Sequence, residues 1–178
     1  MISRRISIGI TAALMAFAGA TIGSPATGAV RAQAPTACTI VFDVVASPGL
    51  TTSPSSGTIT TNGETGTLNC NGPVNGKQPT GQGTSGIVGH YGTKGGDTCQ
   101  SGGAGDGVES FTVPTSSGKE HVTNTITFTY GGIQGGLFTG QFQGDRMSGT
   151  FTARPGGVAT CTTTPMTKFH VDGKGTLR

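Results

Sequence analysis

Threonine occupies four alternate positions of the stretch "VTNTITFTY", Val122 to Tyr130. Thr123, Thr125, Thr127 and Thr129 fall on one side, and Val122, Ile126, Phe128 and Tyr130 fall on the other. A period of two is the signature of a strand with one wet and one dry face. It excludes a helix, in which these residues would spread around the whole circumference. The same period runs through Cys38–Val45, where Ile40, Phe42 and Val44 share a face. It returns at the end of the chain, where Phe169, Val171, Gly173, Gly175 and Leu177 oppose Lys168, His170, Asp172 and Lys174. Shorter candidates are Thr58–Thr61, Thr65–Asn71, Ser85–Tyr91 and Val108–Val113.

Composition matters because it removes the alternative. Glycine and threonine make up about 40% of residues 35–178, and both are poor helix formers, Gly by roughly 1 kcal/mol per position. The reading is an all-β domain: a single antiparallel barrel, or a two-sheet sandwich, of 8–10 strands.

The first 34 residues read as a cleaved bacterial export signal. Arg4 and Arg5 precede an apolar run from Ile6 to Ile22, and Ala32-Gln33-Ala34 closes it as a small-x-small cleavage site. Three of the eleven basic residues, Arg4, Arg5 and Arg31, lie in this segment, so eight bases meet eight acids in residues 35–178. The neutral balance denies the mature chain the electrostatic footprint of a nucleic-acid binder. Threonine-rich outer faces argue against stable membrane insertion. The expected location is extracellular.

Four cysteines in an exported chain imply two disulfides. Three pairings are possible; the expected one is Cys70–Cys99 with Cys38–Cys161, the first tying down a Gly/Pro-rich stretch. Two glycine-rich loops are expected, at 71–83 and 92–107, and both are candidate recognition segments.

Turn chemistry predicts two hairpins. Asn62-Gly63 suits a type I′ tip, and Gly144-Asp145 suits a type II′ tip. The second would pair Phe142 with Met147, Gly140 with Gly149 and Phe138 with Phe151, all on one face. Glycines bracketed by rings leave a gap that neighbouring rings fill or a ligand occupies. Those six residues are therefore the candidate ligand-binding set. The F-x-G-x-F and M-x-G-x-F pattern of this hairpin is similar to those of small lipocalin-like or avidin-like barrels, a likeness of architecture that carries no activity.

No constellation assigns a reaction. "CQSGG", Cys99 to Gly103, resembles the nucleophile segment of chymotrypsin-like proteases, but Gly96-Asp97 precedes the cysteine instead of Ser101, and no matching histidine segment exists. His90, His121 and His170 are scattered, and no C-x-x-C spacing occurs, so neither a metal nor another cofactor is expected. Asp97, Asp106 and Glu109 sit near one glycine-rich loop without a calcium-loop spacing. The expected function is a non-catalytic extracellular binding or interaction module, its partner unknown or a small apolar ligand. The alternative is a small secreted enzyme whose acid/base groups are drawn from His90, Asp97, Glu109 and His121.

Overall fold

The computed structural model describes residues 35–157 and 161–178. The chain divides into Met1–Arg31 and Ala32–Arg178; the export signal expected at 1–34 lies outside the described residues. Nine strands form the second unit: β1 (Thr36–Leu50), β2 (Gly57–Thr60), β3 (Gly66–Asn71), β4 (Gly83–Tyr91), β5 (Gly102–Thr115), β6 (Gly118–Gly131), β7 (Phe138–Gly144), β8 (Met147–Pro155) and β9 (Met166–Leu177). All pair antiparallel in one sheet that closes on itself where β1 meets β9, from Thr36↔Leu177 to Val45↔Lys168. The sandwich alternative is thereby excluded. β2 and β3 lie end to end between β1 and β4, so the ring has eight positions. A barrel of that size has an interior just wide enough to be filled by side chains or to hold one small ligand.

Alternation places Ile40, Phe42, Val44, Phe111, Val122, Ile126, Phe128, Phe138, Phe142 and Phe169 inside. The threonines of β6 face water, as the sequence predicts.

The Asn62-Gly63 pair is not a hairpin tip. β2 and β3 do not bond to each other; both bond to β1 and β4, and residues 61–65 bulge out between them. Thr61 holds this excursion against β4: its N–H donates to the Ile87 carbonyl (2.9 Å), its Oγ1 accepts from the Ile87 N–H (3.0 Å), and its hydroxyl donates to the Gly63 carbonyl (2.6 Å). Two neighbouring strands outbid the local turn preference.

The β7–β8 hairpin exists with its tip at Asp145-Arg146, one residue beyond the expected Gly144-Asp145. Its register is Phe142↔Gly149, Gly140↔Phe151 and Phe138↔Ala153. Relative to the expectation the pairing slips by two residues, which keeps every side chain on its face. Asn124 of β6 sets the turn: its Oδ1 accepts the N–H groups of Arg146 and Met147, each at 2.9 Å, while Asp145 Oδ1 accepts the Thr125 N–H at 2.8 Å.

With this register Gly140 and Gly149 face a ring or backbone, not each other across the hairpin. Phe151 lies over Gly140 and Phe128 over Gly105, while Phe142 and Met147 lie over Gly175, each of these two 3.0 Å from where its Cβ would stand. Gly149 abuts the backbone of Lys174 and Gly175.

Residues 102–107, expected in the second loop, are the first half of β5; full ladders to β4 and β6 make a strand of this glycine-rich run. The loops are 72–82 and 92–101. The disulfides also differ from the expected pairing: they are Cys38–Cys70 and Cys99–Cys161. Cys38 and Cys70 are direct cross-strand partners on β1 and β3, with Cα atoms 4.1 Å apart. Cys99–Cys161 ties the 92–101 loop to the segment after β8. On the chain-entropy account, separations of 32 and 62 residues contribute about 3.7 and about 4.3 kcal/mol. Disulfides fit an oxidising, extracellular setting. No helix among the described residues is long and apolar enough to cross a membrane.

Gly149→Ala should destabilise the barrel by about 1–3 kcal/mol in urea unfolding, because the new methyl meets backbone that cannot swing away. Gly131→Ala, whose nearest neighbour is 4.0 Å from the new Cβ, should have little steric effect.

Candidate functional site

An interior cavity of about 100 Å³ runs through the barrel, lined by inward residues of every strand position. Phe138, Phe142 and Phe151 of the expected hairpin set line it. Met147 is buried beside it in the packed core, and Gly140 and Gly149 lie behind rings or backbone rather than on its wall. The remaining wall is mostly aromatic and aliphatic, including Phe128, Phe169, Ile40 and Ile126. Rings in contact hold the wall: Phe128 stacks near Tyr130 and meets Phe151 edge-on, and Phe138 stands edge-on to Tyr130 and Phe169.

Glu109 is the single carboxylate among the described residues lining this cavity, and it is only 3% exposed. Halfway along β5, it pairs across the sheet with Asn124 of β6 and Ile87 of β4. Its Oε2 accepts a hydrogen bond from Asn124 Nδ2 at 2.8 Å. Asn124 is fully buried, and its orientation is fixed, since Oδ1 takes two backbone N–H groups and Nδ2 also donates to the Met147 carbonyl (3.1 Å). Burial outweighs this one neutral donor and pushes the Glu109 carboxyl from 4.5 up to about 7.

The 92–101 loop, which follows β4 at one barrel end, is anchored by Asp97, 1% exposed. Asp97 accepts from the Gly92 N–H (2.9 Å), the Ala104 N–H (3.1 Å) and the Tyr130 hydroxyl (2.8 Å). Burial, then the hydrogen bond to Asp97 and the Asp97 charge, raise the Tyr130 phenol far above its ordinary value. Burial likewise raises Tyr91, whose hydroxyl donates to the Pro48 carbonyl. Val74, fully buried in the 72–82 loop, packs into the core from the opposite end.

The four acid/base candidates are not brought together. His90 lies outside, 3.2 Å from Asp106; His121 lies outside, 2.9 Å from the Thr112 hydroxyl; Asp97 is committed to its loop; Glu109 alone lines the cavity. Asp97, Asp106 and Glu109 thus point to three separate places. His170 is also external, with Nδ1 2.7 Å from Asp43. Ser101 bonds to the Thr98 hydroxyl at 2.7 Å. Asn124 is the residue that sequence reasoning missed. Its signal was a polar side chain on the dry face of β6, in phase with Val122 and Ile126. Compared with protein families, curated proteins and solved structures, the chain matches none.

Because the folded protein holds a proton on Glu109 that the unfolded chain releases near 4.5, this group's stabilising effect is present below 4.5 and is lost as pH rises through about 7. The gap from 4.5 to about 7, at about 1.4 kcal/mol per pH unit, amounts to roughly 3 kcal/mol. Glu109→Gln keeps an acceptor for Asn124 without the charge. Its stability relative to wild type should therefore rise by about 3 kcal/mol between pH 4.5 and pH 8 in urea unfolding.

Proposed function

We propose that this domain is a secreted, non-catalytic extracellular module that holds a small, mainly apolar molecule inside its barrel. The supporting observation is the ring-lined cavity with one carboxylate at its wall, since ligand sites combine an apolar surface with few polar groups. A volume of about 100 Å³ limits the occupant to a few heavy atoms; an apolar cavity of roughly 150 Å³ already accommodates benzene. Export is supported by the signal-like segment 1–34 and by the two disulfides.

A carboxyl held at about 7 also suits a general acid or base, which favours the enzymatic reading. No second group that titrates near neutrality stands beside it, however: the other titratable residues among the described lining are Tyr91 and Tyr130, whose phenols burial keeps protonated. Binding is the better supported function.

Gly173 supplies a clean test. It lines the cavity on β9, and a Cβ there would have its nearest neighbour, Ile40, at 3.7 Å, so a larger side chain has room to enter. Xenon should raise the melting temperature of wild type relative to an equal pressure of helium and leave Gly173→Leu unaffected. Wild type that shows no shift with xenon contradicts the proposal.

A further inference from the structure

The proposed cavity has a wall of rings and one acid, and its charges do not balance. No lysine, arginine or histidine is among the described residues that line it. Arg146 donates its guanidinium Nη2 to Asn75 Oδ1 (2.6 Å), its Nε being buried without a hydrogen-bond partner among the described residues, and Lys77 pairs with Glu120 (2.6 Å). From the strands flanking Glu109, β4 presents Ile87 and Tyr91 to the interior, and β6 presents Asn124 and Tyr130. The phenols are uncharged throughout the neutral range. His90 and Asp106 pair on the outer surface, His121 is also outside, and Asp97 is satisfied by three donors. Asn124 offers Glu109 a neutral N–H and has no further donor to give. An ionised Glu109 thus has no countercharge.

A neutral apolar occupant would leave that carboxylate unpaired and dry, the costliest arrangement for a buried charge. A cation cures the defect. Aromatic faces attract organic cations, most strongly where water is excluded, and rings around an ammonium are a recurrent solution for recognising it. Phe128, Tyr130, Phe138, Phe142 and Phe151 supply such rings around the same space. Resting on the binding function proposed above, we infer that the occupant is a small alkylammonium ion, paired with Glu109 and enclosed by these rings. A volume of about 100 Å³ restricts it to an ion of very few heavy atoms, such as methylammonium, and leaves no place for a long alkyl chain.

The matched probes are methylammonium, which like a lysine side chain stays charged from about pH 5 to about pH 9, and ethane, its neutral isostere, titrated by NMR against wild type, Glu109→Gln and Gly173→Leu. Methylammonium requires the deprotonated acid. Its affinity should fall about tenfold per pH unit below about 7 and level off above it. Glu109→Gln should weaken its binding at least tenfold and abolish the pH dependence, with ethane unaffected; Gly173→Leu should block both probes. Ethane binding without methylammonium binding, or methylammonium binding indifferent to Glu109→Gln, overturns the ammonium inference and leaves the apolar cavity in place. A neutral ketone such as acetone that binds more tightly as pH falls, with methylammonium excluded, overturns it in favour of a hydrogen bond from the protonated acid. Wild type that binds none of these probes, nor xenon, overturns the binding function itself.

Discussion

Phenylalanine rings laid over glycines hold this barrel together. An eight-position ring of strands must bend sharply, and its inner circumference cannot accept a large side chain from every inward position. Glycine supplies the missing volume at Gly105, Gly140 and Gly175, and a ring from a neighbouring position covers each one. Every phenylalanine beyond residue 34 is buried or packed against the core. Three edge-to-face contacts and one stacked pair then link Phe151, Phe128, Tyr130, Phe138 and Phe169 into one chain of rings, each pair adding about 0.5–1.5 kcal/mol beyond its buried area. A domain without tryptophan obtains a rigid interior in this way, and the space the rings do not fill becomes the cavity.

Most of the architecture was legible because a period of two survives in a single sequence. The dry and wet faces of β1, β6 and β9 follow directly from Cys38–Val45, Val122–Tyr130 and Lys168–Leu177, and the structure keeps them. Turn chemistry was a poorer guide. Asn62-Gly63 carries the strongest short-range hairpin signal, yet Thr61 locks that segment to β4 and the chain continues in the same direction. The hairpin tip expected at 144–145 lies one residue further on because Asn124, 22 residues before Arg146, caps the turn with its side chain. Both differences are tertiary contacts prevailing over local preference, and neither can be read from the segment itself. The disulfides fall in the same class: Cys38 and Cys70 face each other only once β1 and β3 are known to be neighbours.

Asn124 links the fold to the candidate site. One amide fixes the β7–β8 turn through its oxygen and holds Glu109 through its nitrogen. The requirement for a buried residue that both accepts and donates explains why the dry face of β6 is interrupted by a polar side chain. It also means that the position of the acid is set by backbone atoms of a different hairpin, so the carboxyl is placed as firmly as the barrel wall.

Glu109 itself does not serve stability. Above neutral pH its buried charge costs on the order of 3 kcal/mol relative to an acid left in water, a large fraction of the 5–15 kcal/mol that typically holds a domain together. A leucine at this position would match Phe111 and Val113, its in-phase neighbours on β5, and would carry no such penalty. The two disulfides, at about 3.7 and about 4.3 kcal/mol, are large enough to offset it. Sequences break the rules of core composition chiefly where a site demands it. A carboxylate held in place by a buried amide, surrounded by rings and lacking a countercharge is better accounted for by what enters the barrel than by how the barrel folds.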